Sequence, residues 1–224
     1  MDFNGVIIND EPIQMRAYQD VLKDEGVDLT EEDYYNSLGM DDRTFVSSAF
    51  ERAGKSVNEE AIGRITAAKT ARWRETVADD PPVFDGIVDF VEKMAREFTL
   101  GLVSMAGRDE IDLILEKTGL ARHFSTIVSA GDVTRCKPDA ECFRTGFERL
   151  DAVRTAMGHF PITHRECVVI EDSPPGIAAA RLADLQALGV ANTVSASELR
   201  AAGARAVATD LRDWMPETIR LVFT

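Results

Sequence analysis

The sequence predicts an α/β fold: a doubly wound parallel sheet that carries an inserted, all-helical segment. From about residue 83 onward, short apolar runs alternate with amphipathic helical patterns, as in a parallel sheet with helices on its faces. Between about residues 13 and 80, helical patterns follow one another with no convincing strand among them. Asp79-Asp80-Pro81-Pro82 closes this block with residues that break a helix and stiffen a connection. The expected division is an α/β core over residues 1–12 and 82–224 and a helical domain over 13–81.

Within the helical block, Ile13, Ala17 and Val21 share a face. Asp42 precedes a helix that carries Phe45 and Ala49 and stops at Gly54, and a longer helix runs from about Asn58 to Val77. Tyr34, Tyr35, Phe45, Phe50 and Trp73 are expected to pack the block. In the core, Ile87, Phe90, Val91 and Met94 recur at helical spacing ahead of the strand-like run Phe98–Val103. A helix from near Asp109 presents Ile111, Ile114 and Leu115, and Gly119 stands where a left-handed C-terminal cap is wanted. Ile127-Val128, a helix around Phe143 to Leu150 and the apolar run Cys167–Ile170 follow, with Pro175 suited to open the next helix. Leu185–Val190, a capping box at Ser195 and Glu198, and Ala206-Val207-Ala208 complete the series.

The bulk composition narrows the function classes. The 224 residues are 45% hydrophobic and 29% charged, an ordinary globular balance. The formal charge is -14 with no basic stripe, so nucleic acid and anionic membrane are poor partners. An acidic protein that handles phosphates needs a local cation, either metal or lysine. Cys136, Cys142 and Cys167 form no metal-type spacing, which points to a reduced, cytoplasmic protein. No run approaches the ~20 apolar residues that span a bilayer. A monomer or weak dimer is expected.

Ligands of open α/β sheets bind beyond the carboxyl ends of the strands. The residues just after the apolar runs are Asp2-Phe3-Asn4-Gly5, Ser104, the loop holding Lys137-Pro138, and Glu171-Asp172. Two acidic clusters, a hydroxyl and a lysine suit a phosphate with a divalent metal: carboxylates hold Mg²⁺, while Lys and Ser take the remaining phosphate oxygens. One carboxylate could also act as a nucleophile. Taken singly the features are bland, since Ser104 alone reads as a helix cap and Lys137 as a loop lysine.

In this order the segments resemble the haloacid dehalogenase superfamily, in its phosphatase and β-phosphoglucomutase-like branch with a helical cap over a Rossmann-like core. Asp2–Glu11 is similar to the first motif, Leu102-Val103-Ser104 to the second, Cys136-Lys137-Pro138 to the third, and Val169–Ser173 with Gly176 to the fourth. The resemblance implies that Asp2 attacks phosphorus and carries an aspartyl-phosphate, with Ser104 and Lys137 binding the transferring group. It implies Mg²⁺ held by Asp2, the Asn4 main-chain carbonyl and Asp172, with Glu171 nearby or acting through water.

The sequence departs from the family pattern at several places. Asn4 stands where the family's phosphatases have a second aspartate, which protonates the leaving oxygen and later activates water. Asn can do neither, and such help is worth ~10²–10⁴-fold. The substrate is then expected to have a good leaving group, or Asp10 or Glu11 to take over the proton. Only Met1 precedes Asp2, where the family has a central apolar strand; the expectation is that the true start lies further upstream. Gln14 stands where relatives often carry His, and Leu38–Arg43 only approximates the mutase's substrate-reading loop. Arg43 is expected to face an exposed partner such as Asp41 rather than the substrate, and His123, His159 and His164 lie outside the motifs. The leading expectation is hydrolysis of a small phosphorylated metabolite. The alternatives are a sugar-phosphate mutase and a silenced phosphometabolite-binding protein.

Overall fold

A computed structural model describes residues 1–223. The four helices of the N-terminal block are α1 (Glu11–Asp24), α2 (Glu31–Tyr35), α3 (Asp42–Arg52) and α4 (Glu59–Val77). The following elements alternate: α5 (Ile87–Glu97), β1 (Leu100–Val103), α6 (Arg108–Thr118), β2 (Phe124–Val128), α7 (Glu141–Ala156), β3 (Val168–Glu171), α8 (Pro174–Leu182), β4 (Gln186–Val190), α9 (Ala196–Ala202), β5 (Ala206–Ala208) and α10 (Pro216–Phe223).

Local chemistry sets most of these boundaries. The Asp41 side chain accepts from the Thr44 N–H, so the cap of α3 lies one residue before the expected Asp42. Asn58 caps α4 and Ser195 caps α9 with Glu198 in a full capping box. Gly119 ends α6 at φ 71°, the left-handed conformation that glycine adopts without penalty. α8 opens at Pro174, one residue ahead of the expected Pro175. The short α2, held by a Thr30–Asp33 capping box, lies between the expected helices, and α10 extends the series beyond β5.

All strand pairs are parallel: β1 with β2, and β3 with β4 and then β5. The two ladders meet through Met1 and Asp2. Val103 N–H donates to Met1 O at 2.9 Å and Asp2 N–H donates to Ile170 O at 2.9 Å, so the start of the chain lies between β1 and β3. The Met1 ammonium donates to Gly101 O at 2.7 Å.

Helices cover both faces of this sheet. One large cluster joins Phe3, Ile7 and Ile8 to Phe90, Leu102, Ile111 and Ile114. A second packs Val128, Phe143, Ile177 and Leu199. The helical block has its own cluster around Tyr18, Leu22, Phe45, Phe50 and Ile65. Trp73, expected within the block, packs instead into the large core cluster. Among the described residues no helix is long and apolar enough to cross a membrane.

Two connections tie the block to the core, and they run side by side. Ile8 and Val83 form an antiparallel bridge. Asn9 N–H donates to Pro82 O at 2.6 Å, and Phe84 N–H donates to Ile7 O at 3.1 Å.

Candidate active site

The parallel sheet brings the expected residues to one edge. Asp2 emerges between β1 and β3, Ser104 follows β1, Glu171 ends β3 and Asp172 follows it, and Lys137 comes from the loop before α7. The chain turns sharply after Asp2 because Gly5 lies at φ +70°, with Gly5 N–H donating to Ile8 O. A Cβ on Gly5 would overlap Asp172 Oδ2 and the Thr193 hydroxyl, so only glycine lets the first loop approach Asp172.

Lys137 organises the anionic centre. Its Nζ lies 2.8 Å from Asp2 Oδ1 and 2.6 Å from Glu171 Oε1, with all three side chains buried. The contact with Asp2 is a close ion pair without good hydrogen-bond geometry, which leaves Asp2 Oδ1 buried and unbonded. Glu171 Oε2 accepts from the Asp172 and Ser173 N–H groups and the Ser173 hydroxyl, at 2.8 to 2.9 Å. Glu171 thus fixes Lys137 at the start of α8. A Cβ on Gly176 would overlap its carboxylate.

The charges do not balance, and the ionisation of each group reflects this. Burial pushes the Asp2 carboxyl up to about 7, only partly offset by Lys137, because Glu171 shares that lysine and repels Asp2. Burial opposes ionisation of Glu171 too, yet Lys137 and the donors around it hold its carboxyl below the usual range. Burial, with Glu171 and Asp2 nearby, drives Asp172 well above it. Lys137 stays charged, since Asp2 and Glu171 overcome the burial penalty.

Asn4 is held as a fixed dipole. Its Nδ2 donates to both carboxylate oxygens of Asp10 at 3.0 and 3.1 Å, and its Oδ1 accepts from Ser104 Oγ at 3.3 Å. Asp10, fully buried, also accepts from Gln14 at 2.9 Å and from the Trp73 indole at 2.7 Å.

A cavity of about 100 Å³ opens over this centre, walled by Asp2, Asn4, Ser104, Lys137 and Asp172 on the core side. Its far wall comes from the helical block and α6. There Lys69 Nζ, 2% exposed, pairs with Asp42 at 3.0 Å and Glu110 at 3.1 Å, while the Tyr18 hydroxyl donates to Asp42 and the Thr70 hydroxyl to Glu110. Glu11 completes the wall, accepting from the Tyr34 hydroxyl at 2.6 Å.

All six expected residues gather, with Glu171 behind the cavity wall rather than in it. Arg43 points away and pairs with Glu59 at 2.6 Å, not with Asp41. His164 stacks on Phe147. Sequence reading did not anticipate Tyr18, Tyr34, Lys69 or Glu110 in the wall, since these come from helices with no strand end to mark them, whereas Asp42 belongs to the Leu38–Arg43 stretch compared above with a substrate-reading loop.

Comparison with known proteins identifies the family. The family model described as haloacid dehalogenase-like hydrolase matches residues 1–190. A phosphorylated carbohydrates phosphatase of Thermotoga maritima is 26% identical over 196 residues, covering 87% of this chain and 85% of that protein. The chloroplastic protein SUPPRESSOR OF QUENCHING 1 of Arabidopsis thaliana is 28% identical over 217 residues, covering 94% of this chain; the chain spans only 19% of that protein's length. Among solved structures, a β-phosphoglucomutase from Clostridium difficile superposes with a TM-score of 0.84 at 20% identity, covering 99% of this chain and 94% of that one. With the family motifs converging at one sheet edge and a family model that spans most of the sequence, this chain belongs to the haloacid dehalogenase-like hydrolases.

Proposed function

We propose that the protein is a Mg²⁺-dependent phosphatase that hydrolyses a small phosphorylated metabolite through an aspartyl-phosphate on Asp2, in a cytoplasmic setting. The observation that carries this reading is the convergence of Asp2 and Glu171 on one ammonium, Lys137, with an Asp172 carboxylate oxygen within 4.8 Å of theirs, at the carboxyl ends of β1 and β3. Lys137 and Ser104 would take phosphate oxygens as Asp2 attacks phosphorus. Residues 13–81 act as a cap over the reacting centre.

The donor set fits a hard divalent cation. Asp2, Glu171 and Asp172 each offer a carboxylate oxygen, all within 4.8 Å of one another, and one of Asp2's oxygens is buried without a hydrogen bond. Three acids face one lysine, an excess of negative charge that oxygen-seeking Mg²⁺ neutralises. Asp2, Asp172 and the Asn4 carbonyl would hold the ion directly. Glu171, with both oxygens occupied by other donors, would support it from behind. Bound there, the metal lets an anionic carboxylate approach an anionic phosphate.

Gly5→Ala tests this assignment. A side chain at φ +70° costs about 1–2 kcal/mol, and its overlap with Asp172 displaces the carboxylate. The expected result is a folded protein whose Mg²⁺ affinity by calorimetry falls at least tenfold; unchanged affinity counts against Asp172 as a ligand.

The cavity wall also bears on substrate class. Opposite Asp2 the acids Glu11, Asp42 and Glu110 face a single cation, Lys69, which two of them already occupy. A second phosphate on the substrate would meet net negative charge with no free donor cation. A neutral, hydroxyl-bearing body would find Tyr18, Ser37 and Gln14. This favours a monophosphate and disfavours a mutase, which must hold a bisphosphorylated intermediate. A Mg²⁺-dependent panel of sugar and polyol phosphates is expected to release inorganic phosphate from monophosphates and to yield no isomer. An isomer would overturn the hydrolase reading, and binding without turnover would indicate a silenced protein.

A further inference from the structure

We infer that Glu11 is the proton donor and acceptor of this enzyme, standing in for the aspartate that Asn4 replaces. The inference rests on the phosphatase reading and adds a catalytic group to it. Asn4 has no proton to give, and both ends of its amide are occupied, by Asp10 and by Ser104. Asp10, the other neighbouring carboxyl, is enclosed by three donors and takes no part in the cavity wall.

The remaining acids of the wall have other partners. Asp2 is the nucleophile, Asp172 lies within 4.8 Å of it in the anionic centre, and Asp42 and Glu110 are carboxylates paired with Lys69. The wall contains no histidine among the described residues. Glu11 differs from all of these. It opens α1 immediately after Asp10, whose carboxylate is bonded to Asn4, so a helix start holds it beside the vacant role. Its Oε2 accepts from one neutral hydroxyl, that of Tyr34, and no protein donor occupies its Oε1.

The electrostatic surroundings suit the task. Burial raises the Glu11 carboxyl to about 7, aided by the negative charge of Asp10 and Asp2 and opposed by the Tyr34 hydrogen bond and by Lys69. Asp172 and Tyr35 also face it. In the first step the Asp2 oxygen bonds to phosphorus as the ester P–O bond breaks, and the Glu11 proton passes to the departing oxygen. In the second, the Glu11 carboxylate takes a proton from water as the water oxygen bonds to phosphorus and the Asp2–phosphorus link breaks. Inorganic phosphate leaves, with Asp2 free and Glu11 protonated again.

The test compares Glu11→Gln with wild type on glucose 6-phosphate, whose leaving alkoxide needs a proton, and on 4-nitrophenyl phosphate, whose leaving group does not. Single-turnover formation of the phospho-enzyme is expected to fall ~10²–10⁴-fold on the sugar phosphate and less than about tenfold on the aryl ester. At saturating Mg²⁺, where a cation beside Asp2 would keep its carboxylate ionised, the wild-type rate of this first step should decline as pH rises through about 7, where Glu11 loses its proton, and the variant should lack that decline. Tyr34→Phe, which keeps the carboxyl but removes a donor to its charged form, should move the decline to higher pH. An equal loss on both esters, or an unaltered pH profile in Glu11→Gln, overturns the inference alone. A wild type that releases no phosphate from either ester overturns the phosphatase reading and the inference with it.

Discussion

Lys137→Met is expected to destabilise the protein by about 3–5 kcal/mol at neutral pH, the usual cost of leaving buried charges without their partner. Lys137 is the cation that serves both Asp2 and Glu171, and all three are buried. Without it Asp2 rises further above its unfolded value and Glu171 loses the partner that holds it below the usual range, so the folded variant binds more protons relative to the unfolded chain than wild type does. The sign follows: the stability loss grows as pH rises from about 4 towards neutrality and is smallest in acid. Urea unfolding at pH 5 and pH 8 measures the difference. Equal losses at both pH values would show that the lysine acts through packing, for instance against the Phe143 ring 5.1 Å away, rather than through charge.

Asp2→Asn should do the reverse. Loss of the nucleophile is expected to lower phosphate release by on the order of 10⁵-fold, a scale typical of removing an attacking group. Stability should not fall with it. Burial already disfavours the Asp2 charge, raising its carboxyl to about 7, so a neutral amide of the same shape relieves that cost at pH 8 without divalent metal. A melting temperature at or above wild type, with no phospho-enzyme detectable by mass spectrometry, is the expected pair of results. Turnover within tenfold of wild type would exclude Asp2 as the nucleophile.

These opposite signs help to explain what the sequence disclosed. Ser104, Glu171 and Asp172 each follow an apolar run, and a parallel sheet brings such positions to one edge whatever their separation in the chain, whereas Asp2, with only Met1 before it, was legible through the resemblance of its motif. The strands and most helices were legible for the same reason: period and caps are local signals. The far wall was not. Lys69 sits mid-helix in α4 and Glu110 in the first turn of α6, and only the docking of the block onto the core brings them within 3.1 Å. The spacing predicts Trp73 as a packing residue of the block; its indole instead crosses to donate to Asp10. Helical periodicity tells which face is apolar but not which neighbour it meets.

The structure also refines the simplest remedy for Asn4. Asn4→Asp alone would set a second carboxylate against Asp10, whose two oxygens the Asn4 amide now bridges. The acid at position 10 and the amide at position 4 form a reciprocal pair. The exchange Asn4→Asp with Asp10→Asn keeps the hydrogen bond while returning the acid to the reacting centre, and it is the form in which greater turnover on alkyl than on aryl phosphates is to be expected.

The two chain crossings beside Ile8 and Val83 are zipped together by hydrogen bonds rather than free of each other. Two independent tethers would let the helices swivel in any direction; a laced pair behaves as a strap hinge with essentially one angle of swing. Asp10 and Glu11 sit almost at its pivot, whereas Gly39 rests against Pro175 and Lys137 at the far lip, so a swing of the block would carry Gly39 much further than Glu11. Under the proposed cap motion, Glu11 would keep its alignment with Asp2 while the grip on the substrate's body came and went.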